Sequence, residues 1–267
     1  MNKQTIKFIK DYVKYTFNKH KIINKFKNNP FKLITLNLKR DTWQDGQNCW
    51  DNRKENIINF IKSEQPHILC SQEVMPHMYK YLLYELGEVY NGYYVSSFRK
   101  LVNTLGNIIL YDKHKYELVT KGKFWLSETP NKISTSWGAS EPRTCVYVGL
   151  YDKQSDKTFY VFNTHLDHKS EEAAEKSISL IIKKIQEIAG NNDIYLTGDF
   201  NLLIQDMNAL NEIFDSTYNY NKNFTFNSFH NKLTKTLDAI YFRFGHKFNV
   251  EIPNIKLSDH TPVIISV

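Results

Sequence analysis

Cysteine is scarce in this 267-residue chain. Its three copies, Cys49, Cys70 and Cys145, are odd in number, scattered, and never spaced CxxC. That argues against a disulfide framework and a cysteine-built zinc site, and it fits a reducing compartment. No apolar run approaches the roughly 18 residues that a membrane-spanning helix needs. The N-terminal stretch is basic but lacks a continuous apolar segment, so no secretory signal is expected. A cytoplasmic location is the resulting expectation. There is no internal repeat and no low-complexity tract.

A positive excess is also missing from most of the chain. The net charge is +7, yet residues 1–32 hold nine lysines and one acid, Asp11. That segment alone carries +8, which leaves −1 for residues 33–267. The high pI therefore describes an arm, and a globally basic nucleic-acid face cannot be inferred from it. Within residues 1–29, Ile6, Ile9, Val13 and Phe17 recur at helical spacing with lysines between them. This predicts a basic amphipathic segment, either packed on the domain or reaching an anionic membrane or RNA.

What is present, from residue 30 to 267, is a series of short strands and helices. Strands are predicted at 31–38, 67–74, 91–97, 105–111 and 116–124, with helices at 53–64 and 76–86. Residues 145–151 and 158–166 read as a hairpin. Ser170, followed by Glu171 and Glu172, opens the clearest helix, and Gly190 stops it. Strands at 194–200, 237–244 and 261–267 complete the set. Hairpins mixed with strand–helix units predict two packed sheets with helices outside, in one catalytic-sized domain.

Several strands finish on residues that an apolar strand would not choose. One ends at Asn37, one at Gln72-Glu73, one at Asn163 and His165. The stretch IYLTGDFN ends at Asp199 and Asn201, two residues apart, with Gly198 expected to let the chain turn. Asp238 and Asp259-His260 follow. A lone buried amide or histidine usually satisfies the core, but recurrence at strand ends points to a site. The residue types suit phosphate-ester hydrolysis, where a hard divalent cation neutralises the phosphoryl charge. Glu73 and Asp259 supply carboxylates and Asn37 a neutral oxygen. Without a Cys/His cluster, Mg²⁺ or Mn²⁺ is expected in preference to zinc. Asp238 and His260 are candidates for a carboxylate-oriented histidine.

The segments LNL, SQE, NTHLDH, TGDFN, LDAIYF and SDHTPV, in this order over residues 31–267, resemble the endonuclease/exonuclease/phosphatase superfamily, the deoxyribonuclease-I-like fold. The resemblance implies an α/β fold, a four-layer α/β/β/α sandwich of two mixed sheets flanked by helices, and metal-dependent phosphoester hydrolysis. It implies metal-site roles for Asn37, Glu73 and Asp259. It also implies phosphate contact by His165, water activation or phosphate holding by Asp199 and Asn201, and a base or phosphate contact at His260 oriented by Asp238. Alanine at His165, Asp199 or His260 is then expected to lower turnover by orders of magnitude. WDNRKE, FWLSETP and EPR further resemble a small bacterial-type hydrolase subgroup related to the deadenylase-like branch.

Around that core, Arg143 is a candidate for bidentate phosphate binding, with a salt bridge to Glu141 as the alternative. His168 is a candidate pocket residue. Arg53 is either a substrate contact or an ordinary helix N-terminal residue. Trp125 and Trp137 are read as core or loop anchors before stacking platforms. No role is assigned to Asn107. Abasic-site repair motifs and a long basic DNA-binding loop are not found, which weakens a DNA-repair reading. The leading expectation is a nuclease or nucleotide-type phosphodiesterase acting on a small or single-stranded substrate. The alternative is a phosphatase or phospholipase-like hydrolase of a small phosphorylated sugar, inositol or lipid. A catalytically dead binding module is the reading from a different class. No obligate protein partner is implied.

Overall fold

The computed structural model describes residues 30–98, 104–229 and 234–267. The basic segment 1–29 lies outside the described residues. In chain order the main elements are β1 (Lys32–Asn37), α1 (Trp50–Glu64), β2 (Ile68–Val74), α2 (Pro76–Leu86), β3 (Tyr90–Ser96), β4 (Gly106–Asp112), β5 (Tyr116–Trp125), β6 (Thr144–Asp152), β7 (Lys157–His165), α3 (Glu171–Ala189), β8 (Asp193–Asp199), β9 (Asp215–Ser216), β10 (Asp238–Phe242), β11 (Asn249–Glu251) and β12 (Val263–Ser266). Among the described residues, no helix is long and apolar enough to cross a membrane.

Strand alternation sorts the apolar side chains into layers. Leu33, Cys70 and Ile109 face inward and meet Val146, Val161 and Ile240 of the other sheet. Their neighbours Ile34, Leu69 and Leu110 face outward and pack under Ile57 and Ile61 of α1 and Met78 and Leu82 of α2. On the far side, Phe162, Leu196 and Tyr241 pack under Ile178, Ile181 and Ile185 of α3. The result is helix, sheet, sheet, helix, as the sequence pattern implies.

Each sheet has six strands, in the orders β11-β12-β1-β2-β4-β3 and β5-β6-β7-β8-β10-β9. Each contains one parallel pair, β1/β2 and β7/β8, with antiparallel neighbours. The helix α1 joins the first pair and α3 the second, as parallel strands require a crossover. Ser170 caps α3 by accepting from the Ala173 N–H at 3.1 Å, and Gly190 ends it with a positive φ of +54°, which glycine adopts without a Cβ clash.

Two strand-end amides turn out to bind the sheets together. Gln72 Nε2 donates to Asn163 Oδ1 at 2.6 Å across the interface. Asn163 Nδ2 in turn donates to the carbonyls of Ser71 (3.0 Å) and Ile108 (2.8 Å). Both side chains are fully buried, and this network satisfies Asn163 and the Gln72 amide nitrogen, while Gln72 Oε1 has no hydrogen-bond partner among the described residues.

Gly198 is needed for a different reason from the expected turn. It lies inside β8 with no left-handed φ. A Cβ there would sit 2.5 Å from the Thr164 carbonyl oxygen of β7. The turn falls at Asn201, φ +52°. Gly198→Ala is therefore expected to destabilise the protein by about 1–3 kcal/mol through backbone overpacking. A lowered urea midpoint at unchanged slope would show it, and an unchanged midpoint would contradict the close approach.

Candidate active site

The parallel pairs set the location. β1, β2, β7 and β8 all reach their C-terminal ends at the same edge of the sandwich, ending near Asn37, Glu73, His165 and Asp199. Ladder register aligns His165 with Asp199 and Asp199 with Asp238, so three adjacent strands present these groups at one level. The loop before β12 brings Asp259 and His260 to the same edge, where His260 Nδ1 lies 2.8 Å from Asp238 Oδ2.

Asp199 Oδ2 is where the groups converge. It accepts from Asn37 Nδ2 at 2.9 Å and lies 3.5 Å from His260 Nε2 and 3.6 Å from His165 Nε2. Its Oδ1 accepts from the Asn201 N–H at 3.0 Å. Asn201 Nδ2 donates to the Leu166 carbonyl at 3.0 Å. Asn201 thus reaches the site through a tight left-handed turn, since the strand already ends at Asp199.

Burial sets the electrostatics. Asp199 is 2% exposed, and burial pushes its carboxyl up to about 7. The His260 cation and the Asn37 amide oppose that rise, and Asp238 adds to it. Burial works against a charge on His260, but the carboxylates of Asp238 and Asp199 outweigh it and hold the ring at about 10. His165 is held well below its ordinary value by burial and by the nearby Arg143 cation. One histidine is a buried cation and the other is neutral, although both contact one carboxylate.

The opposite wall carries the expected metal residues. Glu73 sits in a β-bulge of β2 with φ +58°, a conformation a side chain rarely adopts. Its Oε1 accepts from Asn37 Nδ2 at 3.2 Å and its Oε2 from the Arg40 N–H at 3.0 Å. Asp259 is paired with Lys39 Nζ at 3.2 Å. Burial disfavours the Lys39 ammonium, but the charges of Glu73 and Asp259 keep its pKa raised. The carboxylates of Glu73 and Asp259, both hard oxygen donors, face one cleft and already attract a cation, whereas Asn37, expected to add a neutral oxygen, turns its Nδ2 to Glu73 and Asp199 while its Oδ1 accepts from the Lys39 N–H at 2.9 Å. That donor set fits Mg²⁺ or Mn²⁺. Asp199, Asp238 and His260 also bring ligand atoms within 4.8 Å of one another. There, however, the imidazole is engaged by both carboxylates.

The cleft is ≈ 560 Å³ and is lined by Glu73, Asp259, His165, Asp199, His260 and Asn201, with Lys39, Arg143, His168, Phe226 and Phe229 around them. Asn37 and Asp238 stand behind this lining and act through their neighbours. Arg53 does not line it. Its guanidinium donates to the carbonyls of Asn48, Leu38, Leu257 and Lys39, at 2.6–3.2 Å. It thereby ties the chain after β1 to the segment leading into Asp259. The acidic neighbour of Arg143 is Asp167, at 3.9 Å, in place of the Glu141 salt bridge weighed as the alternative to phosphate binding. Trp125 is buried and donates to the Ser97 carbonyl, and Trp137 borders a separate groove. Sequence reasoning missed Lys39, Phe226 and Asp167. Only Asp167 carried a signal, its place inside NTHLDH.

A family profile described as "Endonuclease/Exonuclease/phosphatase family" matches residues 34–260. The uncharacterized protein L388 of Acanthamoeba polyphaga mimivirus is 28% identical over 270 residues, covering 88% of this chain and 98% of that protein. Among solved structures, an endonuclease/exonuclease/phosphatase from Bacteroides vulgatus is 29% identical with a TM-score of 0.79, covering 88% and 97% of the two chains. A Bacteroides thetaiotaomicron mannosyl-6-phosphatase is 26% identical with a TM-score of 0.81, covering 88% and 98%.

Proposed function

We propose a function from one premise: the chain belongs to the endonuclease/exonuclease/phosphatase family. Members hydrolyse phosphate esters and generally depend on a divalent metal. The reading for this chain is divalent-metal-dependent hydrolysis of a small phosphate monoester. The observation that carries the chemistry is the convergence of His165, His260 and Asn37 on Asp199 Oδ2, within 3.6 Å, opposite Glu73 and Asp259. The monoester class is supported by the likeness to a sugar phosphatase over 88% of the chain.

A bound divalent cation supplies charge neutralisation and polarisation of the P–O bond. Glu73 and Asp259 would hold it, with Asn37 orienting the Glu73 carboxylate through its Nδ2. Asp199, with a pKa of about 7, takes the proton of the attacking water at a carboxylate oxygen, and the ester P–O bond breaks as the new one forms, its alkoxide leaving as the alcohol with a proton from solvent. His260 stays protonated between Asp238 and Asp199 and stabilises the charge that develops on the phosphoryl oxygens. Neutral His165 donates a hydrogen bond to the same group. Arg143 and His168 take the oxygens that do not react.

The second reading is the nuclease or nucleotide-type phosphodiesterase expected from sequence. Phe226 and Phe229 favour it, because both line the cleft where a base would stack. A panel of sugar phosphates, phospholipids, nucleotides, single-stranded RNA, and single- and double-stranded DNA, each with Mg²⁺, Mn²⁺ or EDTA, separates the two. Metal-dependent release of inorganic phosphate from monoesters is the expected result. Cleavage of diesters alone would favour the second reading, and no metal-dependent product from any substrate would overturn both.

A further inference from the structure

Leu166 extends the β7–β8 ladder by one hydrogen bond, from its N–H to the Asp199 carbonyl at 3.0 Å. The next residue, Asp167, is therefore placed by the sheet itself. It is 3% exposed and does not line the catalytic cleft. Its Oδ1 accepts from the Lys169 and Ser170 N–H groups at 2.9 and 3.0 Å, which fixes the entry to α3. Its Oδ2 accepts from the Ser140 N–H at 2.9 Å and the Ser140 hydroxyl at 2.7 Å, and lies 3.9 Å from Arg143 Nε. One carboxylate thus joins the loop carrying Arg143 to the turn carrying His168.

Those two residues meet in the cleft. Arg143 Nη2 lies 3.0 Å from His168 Nδ1. A guanidinium can only donate, so Nδ1 is the acceptor and the ring proton sits on Nε2. The pair then offers only donors to the cleft, facing Glu73, His165 and Asp199. Arg143 is 8% exposed, and its Nε has no hydrogen-bond partner. Its orientation is therefore set by His168 within the cleft and by the Asp167 ion pair from outside it.

We propose that Asp167 is a positioning residue, which holds Arg143 and His168 as a paired donor for the non-reacting oxygens of the substrate phosphate. The proposal rests on the phosphate-ester reading above and adds the device that orients its anion clamp. Such a residue acts on binding more than on the chemical step.

Asp167→Asn keeps the shape and removes the charge. Its KM, and its inhibition constant for inorganic phosphate, are expected to rise about tenfold with kcat changed less than about threefold. In an Arg143→Lys background the same substitution is expected to add nothing, because both act through one contact. The ¹⁵N spectrum of the His168 ring supplies a readout independent of hydrolysis. In the wild type Nδ1 is unprotonated, and in Asp167→Asn the two tautomers are expected to mix. If Asp167→Asn does not fold, Ser140→Ala replaces it, with a KM rise of about threefold that vanishes beside Arg143→Lys. Additive effects with Arg143→Lys, or an unchanged His168 spectrum and unchanged phosphate affinity, would reduce Asp167 to a structural cap and overturn the proposal. A failure of hydrolysis with the tautomer shift intact would instead count against the phosphate-ester reading alone.

Discussion

Asp199→Asn is expected to lower kcat by about 10²–10⁴-fold while leaving the fold intact. The amide has the carboxylate's shape, and its oxygen still accepts from Asn37 or Asn201, the two neutral donors now seen at 2.9 and 3.0 Å. What disappears is the group with a pKa of about 7 in direct reach of both histidines. In the wild type, kcat should rise as pH passes through about 7, because Asp199 must lose its proton to act as a base. It should fall again as pH approaches 10, where His260 loses its charge. The variant should lose the acid limb. Rates measured from pH 5 to 11, with circular dichroism as the control for folding, check both statements. A variant with wild-type turnover would remove Asp199 from the reaction.

Asp238→Asn is expected to cost about a hundredfold or more in kcat through a residue that does not line the cleft. Asp238 accepts from His260 Nδ1 at 2.8 Å, and it is the largest influence keeping that buried ring charged. An amide keeps the space filled but not the charge, so burial then pulls the histidine back toward neutrality. The alkaline limb of the rate profile should move down from about 10. Stability changes in the same direction. A histidine raised from 6.5 to about 10 contributes stability that is full below 6.5 and is lost as pH rises through 10. Wild type and Asp238→Asn should therefore differ most in urea midpoint near pH 6 and least near pH 10. An alkaline limb that stays in place would show that His260 takes its charge from elsewhere.

The sequence exposed the layers and much of the site because both follow local rules. Alternation in ITLNL and IILYD separated inward from outward side chains, and Ser170 with Gly190 bounded α3. The strand-end acids, amides and histidines were legible because β1, β2, β7 and β8 end in polar groups at one edge. β9 and β11, two and three residues long, are too short to carry a period. The left-handed backbone at Glu73 and Asn201 was hidden, since a bulge depends on the partner strand and a turn on the Leu166 carbonyl. Lys39 looked like any lysine until the fold set it beside Asp259. Arg53 illustrates the reverse. Its charge suggested a ligand, yet the fold surrounds it with four main-chain carbonyls. Asn163 and Gln72 sit at strand ends like the site residues, but their partners lie across the sheet interface.

These residues are assigned to one event, the attack of water on phosphorus at the Asp199 edge of the sandwich. Hydrolysis of the best ester from the panel in oxygen-18 water tests that event directly, with the released phosphate read by mass spectrometry. One labelled oxygen is expected in each phosphate released by the wild type, formed only when a divalent metal is present and nearly absent with Asp199→Asn. Unlabelled phosphate, or labelled phosphate released equally well by Asp199→Asn, would contradict it.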